Sequence, residues 1–377
     1  MQTSLQIETR QVATKKKKEA VVEAAPTYFP TLDGLRFVAF FLVFIHHYKV
    51  SGAPKLLLWF QGHGWVGVHL FFGLSGYLLT TILCAEHTLT GRISVPRFFI
   101  RRALRIWPLY FFFVVGIYAV CVAKYGLHYG GFVRFLGLVF FVDNIFSGFL
   151  EFNPIPYMAA LWTISLEEQF YLVLPFVMRE WLTDRSAIPR RIFGIWLFFV
   201  AMRVLFVLMG APYPMIWTSI FSADSLLFGA LLGVINWQPR SWLERIGCFG
   251  LGVFGIYACS FFTLHSRGPD SVFIYMPIAV GAGLLCLSLR YDPIFRFMGI
   301  RPLRYLGKIS YGLYVYHFVG IALAGWLMKG TWMLGKLIAF PVALLATIAI
   351  AAASYQLIER PFLRLKVRFE TVRTRPV

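Results

Sequence analysis

Residues 31–49 read TLDGLRFVAFFLVFIHHYK, a helix-length apolar run with an arginine near its start and two histidines near its end. Arg36 and His47 would stand about 16 Å apart along a helix axis. A segment that only anchors a protein in lipid has no use for either. An ionisable side chain at the centre of a bilayer helix costs at least ~2.5 kcal/mol, so by default it marks a functional site. The run therefore predicts a transmembrane helix that also walls an intramembrane reaction chamber.

The rest of the 377-residue chain has the matching composition: 59% hydrophobic residues and a mean hydropathy of +0.69. Soluble domains sit nearer ~45–50% apolar. Only helices or closed barrels satisfy the backbone in lipid, and these apolar runs do not alternate as barrel strands do. The fold class is all-α, a polytopic transmembrane helical bundle of about ten spans. They fall near 32–50, 64–85, 106–123, 160–178, 191–209, 216–237, 247–265, 271–289, 309–328 and 335–356. One further apolar piece, 132–149, is ambiguous because it contains Asp143 and Asn144 and is soon followed by Asn153, Pro154 and Pro156.

Charge resolves that ambiguity. The formal net charge is +19, which could suggest nucleic acid, but the basic residues flank hydrophobic runs and form no single soluble face, so no nucleic-acid partner is expected. If 132–149 does not cross, most of the 36 lysines and arginines lie in cytosolic segments. Lys49, Lys55, Lys124, Arg134, Arg267, Lys329 and Lys336 then lie outside, and Arg36 and Arg203 lie within spans. If it crosses, the basic loops 179–191 and 290–308 and the C-terminal tail move outside, against the positive-inside rule. The piece is therefore expected to be a re-entrant or interfacial helix, with both termini cytosolic.

Residues 1–28, with the block Lys15–Lys18 and no secretory apolar region, read as a disordered basic cytosolic tail. Residues 29–365 form the transmembrane domain and 366–377 a second basic cytosolic tail. Five cysteines (Cys84, Cys121, Cys248, Cys259 and Cys286) sit in or beside apolar runs without CxxC spacing, so neither a disulfide framework nor a metal site is expected. No fixed-period repeat is evident.

The ionisable residues inside the proposed spans are Arg36, His46, His47, His69, Glu167, Glu168, Arg203, Asp224 and His317. Each needs a partner or a wet cavity. His47 falls in the outer half of the first span. Glu167 and Glu168 fall in the outer half of the fourth, ALWTISLEEQFYLVLP, so the depths match. A histidine beside a carboxylate is a general-base arrangement, the acid orienting the ring and the ring taking a hydroxyl proton. Thr163, Glu167 and Tyr171 share a face of that span at i, i+4 spacing. His46 points about 100° away from His47 and is expected to be interfacial or to act behind it. Arg36 either pairs with Asp33 or snorkels to the headgroups, or else stands as a cation near the inner mouth of a pore. Arg102 and Arg105 are either topogenic charges or two planar forks on one helical face that suit an anion with several phosphates. No P-loop or GxGxxG is present. His317, among aromatic residues, reads as a packing histidine, and Arg203 and Asp224 as a pair or as groups facing water. The Gly/Ser-rich second span reads as close helix packing.

These residues resemble the acyltransferase-3 family of integral-membrane acyltransferases. The pieces that carry the resemblance are LDGLRFVAFFLVFIHH, GVHLFFGLSGYLLT, RRALRIWPLYFF, LWTISLEEQFYLVLP, LGKISYGLYVYH and IERPF, in that order over about 29–365. The resemblance implies a catalytic His47, through the family's Arg-x10-His pattern on Arg36 and His47. It implies an Arg-x-x-Arg pattern on Arg102 and Arg105 associated with acyl-CoA, and an acidic residue on Glu167, with Glu168 at the variable position. Arg36 joins Arg102 and Arg105 as an expected acyl-CoA-binding residue. His69 stands where the family usually has Asp, and Thr163 where it usually has Ser. The family's optional extracytoplasmic esterase-like domain is not expected within this chain.

The resemblance thus implies a membrane O-acyltransferase in a bacterial cytoplasmic (inner) membrane. It would move an acyl group, acetyl above all, from cytosolic acyl-CoA to a hydroxyl of a glycan or similar acceptor on the outer side. A proton-coupled secondary transporter using the buried His and Glu as a relay stays open from the residues alone, as does the oligomeric state. His46, His69, Thr163, Glu168, Tyr171 and His317 are the residues expected behind the catalytic pair or on the acceptor side.

Overall fold

Pro30 suits the first turn of a helix, because its fixed φ is helical and its missing N–H is unpaired there anyway. From it runs helix α1, Pro30–His47, ending where Tyr48 turns extended and its N–H bonds the Phe44 carbonyl at 2.9 Å. The computed structural model describes residues 28–49, 54–127, 129–149, 155–211, 220–258, 270–290, 294–327 and 333–372. The N-terminal tail expected over 1–28 thus lies outside the described residues except for Tyr28, as do Asn153, Pro154, Cys259, Arg267, Lys329 and the end of the C-terminal tail.

The described elements after α1 are all helical: α2 (Lys55–His63), α3 (Val66–Thr90), α4 (Val95–Tyr125), α5 (Tyr129–Val139), α6 (Asp143–Phe149), α7 (Trp162–Trp181), α8 (Ile188–Leu208), α9 (Asp224–Ile235), α10 (Trp242–Tyr257), α11 (Asp270–Phe273), α12 (Tyr275–Arg290), α13 (Arg301–Lys308), α14 (Ser310–Leu327) and α15 (Met333–Ser354). A π-helical turn at Tyr355–Glu359 then leads into α16 (Arg360–Lys366). No strand occurs among the described residues.

Among the described residues, four helical stretches are long and apolar enough to cross a membrane: Val66–Thr90, Val95–Tyr125, Arg185–Leu208 and Ile338–Phe369. The remaining expected spans fall short for two physical reasons. Helices α1 and α7 carry ionisable residues (Asp33, Arg36 and two histidines; Glu167, Glu168 and Arg179) that lower their hydropathy. Helices α9 and α12 are short, at 12 and 16 residues.

The ambiguous piece 132–149 is a bent pair. Helices α5 and α6 are 11 and 7 residues long, about 16 and 10 Å, against a hydrocarbon core of ~30 Å. Phe141, at a φ of 55°, makes the corner. Arg134 of α5 bridges Asp143 of α6 at 2.9 Å and donates to Ser147 at 2.8 Å, which ties the two arms together. The side chains of Asn144 and Gln169 bond each other, and Gln169 also donates to the Phe141 carbonyl, so the pair is fastened to α7.

Helix α1 is the hub. It packs against α3, α13 and α14, and its Leu32, Leu35 and Ala39 enter one buried cluster while Phe40 and Phe44 enter another on the opposite side. Helix α3 is pressed against α9 through a seam of small residues: a Cβ on Gly76 would meet the Leu226 carbonyl, and one on Gly229 the Gly73 carbonyl. This is the close backbone approach that small residues allow where lipid supplies no hydrophobic drive between helices. Behind the seam, Arg203 of α8 and Asp224 of α9 form a fully buried ion pair at 2.6 Å, with Trp196 donating to the same carboxylate at 2.7 Å. Arg203 also donates to the carbonyls of Val272 and Phe221, so all three nitrogens of its fork are engaged.

Candidate active site

An open cavity of about 160 Å³ lies between α1, α3, α4, α7 and α14. Val68, Phe71, Phe72, Ser75, Leu78, Leu79 and Ile82 line it from α3, at the i, i+3, i+4, i+7 spacing of one helical face. Arg102, Arg105 and Ile106 repeat that spacing on α4. Thr163, Glu167 and Tyr171 do so at i, i+4, i+8 on α7. Helix α1 contributes Asp33 and Arg36, α14 contributes Ser310, Tyr311 and Tyr314, and Lys366 enters from the end of α16.

The carboxylate of Glu167 is held on both oxygens. Ser75 donates to one and the Tyr171 hydroxyl to the other, each at 2.9 Å, and the two hydroxyls lie 3.2 Å apart. Ser75 was expected only as a packing residue. Its register with Val68, Phe71 and Phe72 was the signal that places it on the cavity face. Glu168, one residue on, does not line the cavity, and the Trp107 indole donates to it over a long 3.4 Å.

The cations divide into two kinds. Arg36 donates to Asp33 at 3.2 Å and also lines the cavity. Arg102 and Arg105 have no ion pair among the described residues. The buried Nε of Arg102 has no hydrogen-bond partner, and its guanidinium stands 5.9 Å from the Tyr171 ring. Arg102 and Arg105 are both half-buried, and Glu359 near Arg105 and Glu167 and Glu168 near Arg102 offset part of their charge.

His47 is placed differently from the sequence expectation. Its Nδ1 lies 3.1 Å from Nε2 of His317, and the rings are 4.9 Å apart. No hydrogen bond joins His47 to Glu167 among the described residues. The depth match came from counting along each helix, which carries no information on tilt. It is Thr163 that α7 brings to α14, its hydroxyl 2.8 Å from that of Tyr314. Glu167 lies a further turn along, about 6 Å. His47 does not line the cavity either: Val43, Ala160 and Tyr314 pack with Val68, Phe71 and Phe318, joining the cavity wall to the His47 ring, which Phe318 meets at 4.6 Å.

The hydrogen bonds assign the ring protons. Nδ1 of His317 lies 2.6 Å from the Tyr314 carbonyl, which can only accept, so that nitrogen carries a proton. In a neutral ring its Nε2 then accepts, His47 must donate from Nδ1, and the lone pair of His47 falls on Nε2. His317, read from the sequence as packing, is thus the partner of His47. The signal for it was weak, since contact spans 270 residues. His46 turns away, its Nδ1 2.8 Å from the Gln61 carbonyl, with its ring 5.0 Å from that of His47. His69 also faces away from the cavity, 3.3 Å from the Ser225 hydroxyl and packed on Trp65 and Tyr275.

Residues 29–356 match the family model of the acyltransferase domain of the acyltransferase-3 family. The chain belongs to this family. It is similar to the O-acetyltransferase OatA of Staphylococcus aureus (strain NCTC 8325 / PS 47), 28% identical over 376 residues that cover 92% of this chain and 59% of that protein. It is also similar to the peptidoglycan O-acetyltransferase OatA of Listeria monocytogenes serovar 1/2a, 28% identical over 364 residues, 89% of this chain and 56% of that one. The chain thus spans somewhat under three fifths of the length of these relatives. No solved structure matches it. Acyl transfer is the chemistry of the family, and the proton-coupled transporter has no support from these comparisons.

Proposed function

We propose that this chain is a membrane-embedded O-acyltransferase that takes an acyl group, most simply acetyl, from cytosolic acyl-CoA and passes it to a hydroxyl of a glycan on the far side. The observation that carries the reading is that Arg102 and Arg105, which make no ion pair among the described residues, face a cavity whose other wall holds Glu167. In this reading about ten helices cross a cytoplasmic membrane with both termini cytosolic, as the charge distribution favours. The glycan acceptor is supported by the relatives named for O-acetyl transfer, one of them to peptidoglycan.

The donor phosphates dock on Arg102 and Arg105, with Arg36 further along, and the thioester end points toward Thr163 and Tyr314. His47 Nε2 takes the proton of the acceptor hydroxyl while His317 holds the tautomer that leaves this nitrogen basic. The hydroxyl oxygen attacks the thioester carbonyl, the C–S bond breaks, and the thiol leaves with a proton. Glu167, fixed by Ser75 and Tyr171, supplies a negative charge to the cavity wall and offsets part of the arginine charge. Holding both reactants oriented in a water-poor site provides much of the acceleration.

The test is saturable binding of radiolabelled acetyl-CoA to purified protein, lost in Arg102→Ala/Arg105→Ala. Absence of binding by the unaltered protein discards the donor. Mass spectrometry of surface glycans from deletion and complemented strains then reads the acceptor as an acyl-sized mass difference.

A further inference from the structure

The family match ends at residue 356, and the chain beyond it returns to the cavity. Helix α16 packs against α4, the helix that carries Arg102 and Arg105, and buries Leu363. Its end is strapped down. Arg101 donates to the Phe369 carbonyl at 3.0 Å while pairing with Glu86 at 2.8 Å, both sides of that pair being buried. Lys366, expected to be a tail charge in water, is instead 5% exposed and lines the cavity. Arg105 and Arg102 are both close enough to repel it.

Four cations therefore border one cavity that Asp33 and Glu167 also line, with Glu359 near Arg105 and Glu168 near Arg102. Asp33 is engaged by Arg36, and Glu167 by two hydroxyls. The ammonium of Lys366 is paired at 2.8 Å with Glu370, whose side chain is 11% exposed and which is carried on the same C-terminal segment. Burying like charges together is unfavourable unless an anion joins them. A lysine has three rotatable donors and can exchange one oxygen anion for another without moving its stem.

We propose that Lys366 is a fourth cation of the donor site, taking a phosphate oxygen of the acyl donor in exchange for Glu370. The donor is then one bearing several phosphates, and the C-terminal segment is part of its site although it lies outside the family domain. This rests on the reading of the cavity as the acyl-donor site.

The experiment is coenzyme A binding to the purified full-length protein in nanodiscs, by calorimetry, for the unaltered chain, Lys366→Gln, Lys366→Arg, Glu370→Gln and Arg102→Ala/Arg105→Ala. Lys366→Gln is expected to weaken binding about tenfold or more, the scale of one charge-assisted contact. Lys366→Arg should restore most of it, and Glu370→Gln should tighten it by removing the competing carboxylate. If the unaltered protein binds, the double arginine variant does not, and Lys366→Gln binds like the unaltered protein, this inference falls while the proposed function stands. If the unaltered protein does not bind coenzyme A, the proposed function itself fails, and this with it. Should Lys366→Gln not fold, Glu370→Gln decides alone: unchanged or weaker binding overturns the exchange.

Discussion

Nε2 of His317 faces Nδ1 of His47 at 3.1 Å, and the Tyr314 carbonyl behind it fixes which nitrogen bears the proton. His47→Ala is expected to lower acyl transfer by roughly 10²–10⁴-fold, the usual worth of a positioned general base. His317→Ala should cost less, about tenfold, because it removes one hydrogen bond and frees the wrong tautomer. Both variants should retain acetyl-CoA binding. Radiolabel transfer to acceptor, measured at equal membrane abundance, checks the order. Full activity in His317→Ala would show that the ring pair has no part in the reaction.

Glu167 and Glu168 are neighbours in sequence with opposite fates. Glu167 receives Ser75 and Tyr171 inside the cavity, whereas Glu168 reaches toward Trp107 outside it. Glu167→Gln should therefore abolish most transfer, and Glu168→Gln should leave most of it. Tyr171→Phe removes one of the two donors to Glu167 and should cost about 1 kcal/mol of folding stability. Activity assays on the two glutamine variants and a detergent melting curve of Tyr171→Phe test the assignment. Equal loss in both glutamine variants would defeat it.

The sequence carries the fold further than it carries the site. Pro30 sets the start of α1, and the piece at 132–149, ambiguous by hydropathy alone, is a bent pair of helices 11 and 7 residues long. Arg36, Arg102, Arg105, Glu167, Thr163 and Tyr171 all reach one cavity, because helical spacing fixes which residues share a face. What spacing leaves open is how one helix turns toward another. His317 meets His47 across 270 residues, and Lys366, at the start of a basic tail by sequence, lines the cavity because the chain folds back. The pairing of His47 with Glu167 failed for the same reason, since depth along two helices does not determine contact.

Arg102 differs from a mere point charge. Its planar fork lies 5.9 Å from the Tyr171 ring, both lining the cavity, and a fork binds phosphate through two parallel bonds. Arg102→Lys keeps the charge and loses the fork, so donor affinity should fall about tenfold with the salt dependence of binding largely retained. Arg102→Ala should lose both. Titration of acetyl-CoA at two ionic strengths separates the cases. Lysine binding as tightly as arginine would reduce Arg102 to a general electrostatic role.

Arg203 and Asp224 test the other side of the molecule, where burial without chemistry is expected. Both side chains are fully buried, the guanidinium is shared between the Asp224 carboxylate and two carbonyls, and neither residue lines the cavity. Removing one partner leaves an uncompensated charge in the bundle, a loss of about 3–5 kcal/mol. Arg203→Ala and Asp224→Ala should each lower the melting temperature and the yield of folded protein in detergent. The double variant Arg203→Met/Asp224→Leu should recover much of that loss, because apolar residues of similar volume can replace a buried pair. Size-exclusion profiles and melting curves read the recovery, and acetyl-CoA binding per folded molecule should match the unaltered protein in the double variant. If the double variant folds but no longer binds acetyl-CoA, the pair communicates with the cavity and is more than a brace.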